Sequence, residues 1–283
     1  MTGEGGVEMK TEDVRKYVRD RYAGIAKQGG SCCGPSACCG APEAAEEASG
    51  RIGYTEEEMK SAPRGSNLGL GCGNPTALAS LRAGETVLDL GSGAGFDCFL
   101  AAEQVGNGGI VIGVDMTPEM IQKARENARK GNHENVEFRL GEIEHLPAAN
   151  DSVDIVISNC VINLSPAKDK VFAEAYRVLK PGGRAMISDI VLSGDLPEAV
   201  AGSLAAYAGC IAGAIREEEY LRLMEAAGFR DVHVVQESRF AIAETEIDEY
   251  ARSIAGNFNV PPEAVREAAR SVLSVQVFGR KPA

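Results

Sequence analysis

The sequence predicts an α/β fold built on a mostly parallel, seven-stranded sheet with helices on both faces. Three observations predict it. Strand-like and helix-like segments alternate from residue 85 to residue 192, a glycine-rich turn directly follows the first strand, and two further strand-like segments lie near the end of the chain. Repeated strand–helix–strand units are typical of parallel sheets. The 283 residues are enough to bury one large apolar core.

The alternating region contains five predicted strands that are apolar enough to be buried on both faces: ETVLDL, GIVIGVD, NVEFRLG, VDIVISNC and RAMISDIVL. Apolar residues at helical spacing predict helices between most of them. These helices are DCFLAAEQV, TPEMIQKARENARKG and AKDKVFAEAYRVLKPGG, the last ended by Pro181 and Gly182. Residues 196–227 have the pattern of two or three helices, and DVHVVQESRFAI and SVLSVQVFGRK are predicted to be the final pair of strands.

Three segments are expected along the chain. Residues 1–50 are predicted to hold a helix, TEDVRKYVRDRYAGIAKQ, and a cysteine-rich loop, GGSCCGPSACCGAPEAAEEASG. Residues 51–240 would form the ligand-binding core, with a helical insertion before the last strands. Residues 241–283 would add a C-terminal helical segment and a closing strand.

Charge and apolar content restrict the partners. The net charge of −12 argues against nucleic acid, because binding to phosphates depends on clustered Lys and Arg. No apolar run approaches the roughly 20 residues of a membrane-spanning helix, and the polar N-terminus has no secretory signal. We therefore expect no membrane partner and a cytoplasmic location. Eight cysteines in that compartment indicate thiol ligands or redox chemistry more than disulfides.

The segment VLDLGSGAG predicts a ligand site at the end of the first strand. Gly91, Gly93 and Gly95 allow a sharp turn and a close approach of a ligand to the backbone. Asp115 ends the second strand, where it could accept hydrogen bonds from two ribose hydroxyls. A dinucleotide site would use the same acid, but its third glycine would stand where this chain has Phe96. The G-x-G-x-G spacing preceded by Asp89 instead suits a nucleoside with a cationic amino-acid tail.

Residues 85–190 resemble the Rossmann-like core of class I S-adenosylmethionine-dependent methyltransferases. The motifs DLGSGAG, GVDMTPEM and LKPGGR carry the resemblance. It implies S-adenosylmethionine as the cofactor, with Asp115 on the ribose, Met116 on the adenine and Gly91 and Gly93 at the methionine end. The remaining residues assigned to this site are Asp89, Gly141, Glu142, Ile143 and Asn159. Met116 could instead be a core residue, and Glu142 a solvated loop charge.

Three cysteines mark the expected acceptor site. Cys160 ends the fourth strand, Cys72 lies in the loop GLGCGNP, and Cys210 lies in the apolar segment AAYAGCIAGA. Each could also be a buried structural cysteine, which is how we interpret Cys98 on the first core helix. Trivalent arsenic binds three thiolates and keeps a lone pair for attack on a methyl group, whereas zinc usually takes four ligands and has no lone pair. Glycine-rich loops are expected to favour thiolates through their backbone N–H groups.

A closer resemblance covers residues 12–280. The segments GYTEEEMKSAPRGSNLGLGCGNP, SNCVINLSPAKDKVFAEAYRVLKPGGR and AGCIAGA are similar to those of bacterial and archaeal arsenite methyltransferases. The resemblance implies that Cys72, Cys160 and Cys210 are arsenic ligands, that arsenite or its thiol complexes are the substrate, and that small thiols or thioredoxin are the reductant. One departure is the run Arg21-Tyr22-Ala23, where family members often have Tyr-Tyr-Gly.

The segment SCCGPSACCG admits several interpretations. Its pairs Cys32–Cys33 and Cys38–Cys39 could deliver arsenic, supply reducing equivalents, or form a thiol-rich loop with no role. Their vicinal spacing does not match the usual zinc or iron–sulfur motifs. For the whole chain, two rival functions stay open: a methyltransferase for another small molecule, and a metalloid-binding protein without enzymatic activity.

Overall fold

A seven-stranded sheet forms the centre of the fold, and its strands run in the order β3-β2-β1-β4-β5-β7-β6. The computed structural model describes residues 11–28, 42–239 and 260–283 of the chain. The strands are β1 (Thr86–Leu90), β2 (Ile110–Asp115), β3 (Val136–Leu140), β4 (Val153–Asn159), β5 (Leu179–Leu192), β6 (Arg230–Arg239) and β7 (Val272–Arg280).

The first five strands are parallel, and β7 is antiparallel to both of its neighbours. Neighbouring β1 residues show why these strands are apolar throughout. Val87 packs with the apolar cluster on one face of the sheet, Leu88 packs with the cluster on the other face, and both are fully buried. The predicted α/β fold with a mostly parallel seven-stranded sheet is confirmed.

Helices cover both faces of this sheet. They are α1 (Thr11–Gln28), α2 (Pro42–Arg51), α3 (Glu56–Ser61), α4 (Pro75–Leu78), α5 (Phe96–Val105), α6 (Pro118–Gly131), α7 (Lys168–Val178), α8 (Glu198–Ala201), α9 (Leu204–Ala208), α10 (Glu217–Ala226) and α11 (Pro262–Ser271). Side chains of α5 and α6 join the apolar cluster on one face, and those of α7 and α10 join the other. No helix among the described residues has the length and apolar character needed to cross a bilayer.

Two local predictions were wrong. Residues 42–50 were expected to be part of a loop but lie in α2, because the run EAAEEA consists of strong helix formers and Pro42 suits a first helical position. Helix α7 ends at Val178, before Pro181, since the residue that precedes a proline is disfavoured in helical conformation and Leu179 already pairs with Val153.

The C-terminal strand bears on the expected division of the chain. Strand β7 pairs with β5 and β6, so residues 272–280 belong to the same sheet as the six strands between residues 86 and 239. The cysteine-rich stretch 29–41 and residues 241–259 of the expected C-terminal segment lie outside the described residues. The three-part division therefore stays a prediction.

Candidate functional site

A cavity of about 1090 Å³, including the part open to solvent, lies at the carboxyl ends of the parallel strands. Its wall contains Asp89, Gly91, Gly93, Asp115 and Met116, together with residues of α1 and of the loop before α4. Ligands of open α/β sheets bind at this edge, where the loops after the strands converge. We call this space the donor cavity.

Two glycines of the first loop explain its shape. Gly91 has a φ of 69°, and a Cβ there would overlap the side chain of Val161. Gly93 has a φ of 52°, and a Cβ there would meet no atom within 4 Å. Both residues adopt left-handed backbone conformations that favour glycine. The loop thus keeps its backbone at the surface of the donor cavity.

Asp115 is held in place by the loops on either side of it. Its carboxylate accepts hydrogen bonds from the backbone N–H of Gly93 at 3.0 Å and from that of Thr117 at 2.8 Å. Burial raises the pKa of Asp115, while these hydrogen bonds oppose the shift. A fixed acceptor at this position suits two neighbouring hydroxyl groups.

Two more carboxyl groups lie in the cavity wall. Asp89 accepts a hydrogen bond from the thiol of Cys98 at 3.2 Å, and Asp97 accepts one from the hydroxyl of Tyr54 at 2.5 Å. Burial is the main cause that raises the pKa of Asp97 to about 6 and that of Asp89 well above its usual range. The contact with Asp89 also accounts for Cys98, which stays apart from the other thiols. This acidic end of the cavity suits a cationic group.

The predicted adenine-side residues only partly line the cavity. Met116, Gly141 and Ile143 do. Glu142 is not among the lining residues: its side chain is 40% exposed and lies 3.8 Å from Arg15.

Glu144 lines the cavity instead. It is 5% exposed and accepts hydrogen bonds from Arg15 of α1 at 2.9 Å and from Ser165 at 2.6 Å. Sequence reasoning missed Glu144 and Arg15, because no pattern in the sequence separates Glu144 from Glu142 or joins α1 to the cavity.

Cys72, Cys160 and Cys210 come together in one buried apolar cluster beside the donor cavity. Cys160, at the end of β4, also lines the cavity itself. The thiol of Cys210 donates a hydrogen bond to the backbone carbonyl oxygen of Cys160 at 2.8 Å. The thiols of Cys72 and Cys160 lie within 4.8 Å of each other, and the thiol of Cys72 lies 3.6 Å from the carbonyl oxygen of Ser188. Three loops that are far apart in sequence therefore bring their cysteines into one buried cluster. We call these three residues the thiol cluster.

Two members of the thiol cluster have unusual backbone conformations. Cys160 has a φ of 59° and Cys210 a φ of 65°. Among the described residues other than Gly, Asn and Asp, Ser80 alone shares this property. Such conformations disfavour side chains that carry a Cβ and persist when surrounding structure imposes them. In this chain the hydrogen bond from the N–H of Cys160 to the carbonyl of Ser188, at 2.8 Å, helps to impose it.

The three thiols are protonated at neutral pH. Burial raises the pKa of Cys72 to about 11. For Cys160, the hydrogen bond from Cys210 lowers the pKa, but the hydrogen bond to Cys72 and burial raise it more, and for Cys210 the hydrogen bond to Cys160 and burial both raise it. The expectation that glycine-rich loops would favour thiolates was wrong, because burial and the contacts among the cysteines raise the pKa values.

Asn159 connects the donor cavity to the thiol cluster. Its side-chain oxygen accepts a hydrogen bond from the N–H of Cys72 at 2.9 Å. Its side-chain nitrogen donates to Gly73 at 2.8 Å, to the hydroxyl of Tyr54 at 2.9 Å and to Asp97 at 3.1 Å. Asn159 lines the cavity, as expected, but these polar contacts bind it to the protein itself.

Known proteins resemble this chain in sequence and in fold. The model of the methyltransferase domain family matches residues 81–228. An arsenite methyltransferase from Halobacterium salinarum is 47% identical over 282 residues, which cover 96% of this chain and 68% of that protein. The chain belongs to the arsenite methyltransferase family. The resemblance seen in the sequence, and S-adenosylmethionine as the cofactor it implies, are thereby confirmed.

Two more members of the family support the assignment. An arsenite methyltransferase from Aquipseudomonas alcaligenes is 36% identical over 81% of this chain and 66% of its own length. The crystal structure of an arsenic(III) S-adenosylmethionine methyltransferase from Chlamydomonas reinhardtii matches with a TM-score of 0.61 and 32% identity, over 88% of this chain and 75% of that one. The chain thus spans about two thirds of the length of the two curated relatives.

Proposed function

We propose that this chain transfers methyl groups from S-adenosylmethionine to trivalent arsenic bound by Cys72, Cys160 and Cys210. One observation carries the proposal: three free thiols from three separate loops meet in a buried cluster beside the donor cavity. Three thiolates are the donor set that trivalent arsenic requires, and membership in the family supports the same acceptor.

In this proposal the wall of the donor cavity binds S-adenosylmethionine. Asp115 accepts hydrogen bonds from the ribose hydroxyls, while Asp89 and Asp97 face the cationic amino-acid end. Met116 and Ile143 pack against the adenine, with Gly141 beside them, and the backbone of Gly91 and Gly93 approaches the methionine end. The cavity lining supports this pattern because it includes both these carboxyl groups and the apolar side chains of Met116 and Ile143.

Arsenite capture would proceed without a net change of charge. Arsenite is the neutral acid As(OH)₃, and the buried thiols are neutral because their pKa values are raised. Each thiol replaces one hydroxyl, an As–S bond forms, and the thiol proton leaves with that hydroxyl as water. Three exchanges release three water molecules, so no charge has to be buried.

Methyl transfer then needs alignment more than acid–base chemistry. The arsenic lone pair attacks the sulfonium methyl, an As–C bond forms as the S–C bond breaks, and S-adenosylhomocysteine leaves. No proton moves, so proximity and in-line geometry would supply most of the acceleration. Transfer oxidises arsenic formally by two electrons. Small thiols or thioredoxin would return it to the trivalent state as two thiols become a disulfide, in a reducing compartment such as the cytoplasm.

The pairs Cys32–Cys33 and Cys38–Cys39 fall outside the described residues, and we propose that they deliver arsenic or reducing equivalents. Removing residues 29–40 should then slow turnover on thiol-bound arsenite more than on methylarsenite, which needs only two thiols. Equal rates with and without the segment would show that it has no role. Equal, severe loss on both substrates would place it at the reacting atoms.

One anaerobic reaction with arsenite, S-adenosylmethionine and a small thiol tests the proposal. Methylated arsenic and S-adenosylhomocysteine should form in step, and the Cys98→Ser variant should retain the activity because Cys98 lies outside the thiol cluster. Binding of both arsenite and S-adenosylmethionine without formation of S-adenosylhomocysteine would instead indicate a protein that sequesters arsenic. Methylation of other small molecules but not of arsenite would indicate a different acceptor.

A further inference from the structure

A carboxyl group that methyl transfer does not require lies next to the thiol cluster. The ligand atoms of Cys72, Cys160 and Asp189 lie within 4.8 Å of one another, and all three residues are buried. Asp189 itself is 0% exposed. Arsenic held by three thiols needs no oxygen ligand, so this aspartate is unexplained by the function proposed above.

The carboxylate of Asp189 is held in a fixed orientation. One oxygen accepts hydrogen bonds from the side-chain nitrogen of Asn163 at 2.8 Å and from the N–H of Ile190 at 2.9 Å. The other accepts one from the hydroxyl of Tyr220 at 3.0 Å. Carboxylates that bind metal ions are commonly oriented by hydrogen-bond donors of this kind. The oxygen that accepts from Tyr220 has one hydrogen bond in place of two, so it retains capacity to accept a further contact.

We propose that Cys72, Cys160 and Asp189 form a binding site for a thiophilic divalent cation of the Zn²⁺ and Cd²⁺ class. Thiolate sulfur and carboxylate oxygen are both ligand types that such ions bind, and three protein ligands leave the fourth position to a solvent molecule. Cys160 borders the donor cavity, which opens to solvent. The inference rests on the proposed function only in that two thiols are shared with the arsenic site.

Charge balance favours this trio of ligands. Two thiolates and one carboxylate carry three negative charges. A divalent cation contributes two positive charges, and the half-buried ammonium group of Lys168, which interacts electrostatically with Asp189, contributes the third. Burying a set of charges that sum to zero costs much less free energy than burying an unpaired charge. Adding a third thiolate from Cys210 would leave the group with a net negative charge.

Cation binding and arsenite binding exclude each other under this assignment, because both use Cys72 and Cys160. On cation binding the two thiols lose their protons to solvent, and Asp189 binds as a carboxylate. Thiophilic divalent cations should therefore inhibit arsenite methylation competitively with arsenite and release two protons as they bind.

Cadmium titration of the reduced full-length chain tests the site. The background carries the substitutions Cys32→Ser, Cys33→Ser, Cys38→Ser and Cys39→Ser, so that these outer thiols do not bind the probe. The thiolate-to-cadmium absorption band should saturate at one Cd²⁺ per chain. Asp189→Asn should weaken Cd²⁺ binding by about tenfold or more, and Glu144→Gln, at a buried carboxyl group outside the trio, should leave it unchanged.

Two substitutions separate the cation site from the arsenic site. Asp189→Asn should lose cadmium but retain arsenite methylation in cation-free buffer, which also shows that the variant is folded. Cys210→Ser should bind Cd²⁺ as the parent does but lose arsenite methylation. The proposal is overturned if Asp189→Asn binds Cd²⁺ as the parent does, if Cys210→Ser loses Cd²⁺ equally, or if Asp189→Asn loses both activities. Failure of the chain with its four outer cysteines intact to methylate arsenite in cation-free buffer would instead refute the proposed function.

Discussion

The donor cavity and the thiol cluster lie side by side but are built differently. The donor cavity is polar at one end, and hydrogen bonds from backbone and side chains hold its carboxyl groups in place. The thiol cluster is enclosed by apolar side chains, and two of its cysteines have backbone conformations that disfavour a side chain. A polar wall can bind a large ligand through many weak contacts. In the proposed function, the three thiols would instead bind one atom through three strong bonds.

The largest difference between the two regions should appear when one thiol is replaced. Cys160→Ser and Cys72→Ser should each lower the rate of arsenite methylation at least about 100-fold, because a hydroxyl is a hard ligand that substitutes poorly for a soft thiolate. S-adenosylmethionine affinity, measured by titration calorimetry, should stay at the parent value. Cys98→Ser is the control, and parent-like methylation by Cys160→Ser would contradict the three-thiol site.

Replacing Asp115 should affect donor binding and leave the thiol cluster unaffected. Charge-assisted hydrogen bonds contribute about 1.5 to 3 kcal/mol each, so Asp115→Ala should weaken S-adenosylmethionine binding at least about tenfold. Arsenite binding should be nearly intact. Glu142→Gln offers a control, since Glu142 does not line the cavity, and its affinity for the donor should not change. Unaltered affinity in Asp115→Ala would show that the ribose binds elsewhere.

Replacing Asn159, which contacts both regions, should lower the methylation rate less than replacing a thiol does. In Asn159→Asp a second carboxylate would face Asp97 and the carbonyl of Gly73, where the parent amide donates hydrogen bonds. We expect methylation to fall about tenfold, the equivalent of about 1.4 kcal/mol. Combining Asn159→Asp with Asp97→Asn restores one hydrogen-bond donor and one acceptor between the two side chains, so it should recover part of the methylation rate. A double variant no better than Asn159→Asp would argue against this role.

The smallest effect concerns stability at high pH. Burial raises the pKa of Cys72 from 9.0 to about 11 in the folded chain. The folded state therefore holds the thiol proton more tightly, so this stabilising contribution is complete below pH 9 and is lost as the pH rises from 9 to 11. At about 1.4 kcal/mol per pKa unit, the loss is at most roughly 3 kcal/mol.

Urea unfolding at pH 8 and pH 10.5 measures this loss. Cys72→Ala removes the titrating thiol, so its stability should fall less over the same range than that of the parent. An equal fall in the free energy of unfolding between pH 8 and pH 10.5 for the two proteins would mean that the thiol ionises as readily in the folded chain as in the unfolded one.

The sequence predicted the sheet well because each signal was local. Buried strands appear as apolar runs, and the glycine-rich turn after β1 needs backbone freedom wherever it occurs. The same local reasoning predicted a loop at residues 42–50, where the glycines and cysteines nearby obscured the helix-forming run of α2. At the site it singled out Glu142, whose role stays a prediction, and it passed over Glu144, which lines the cavity.

The thiol cluster and its carboxyl neighbour show what sequence reasoning could not reach. The meeting of Cys72, Cys160 and Cys210 was inferred through family resemblance, because no spacing rule joins loops so far apart in sequence. Asp189 belongs to no ligand motif in the sequence, since it stands within strand β5 and far from Cys72 and Cys160 along the chain. Its proximity to Cys72 and Cys160 becomes visible only once β5 lies beside β4.

The positive φ angles of Cys160 and Cys210 have an evolutionary consequence. Glycine adopts such angles readily, so a mutation to glycine at either position would relieve backbone strain while removing a thiol. In lineages no longer exposed to arsenic, drift would carry these two positions toward glycine, asparagine or aspartate, residues that tolerate the left-handed region. Cysteine persists there only while its chemistry is selected, so the identity of these two residues in any descendant reports whether the trait is still in use.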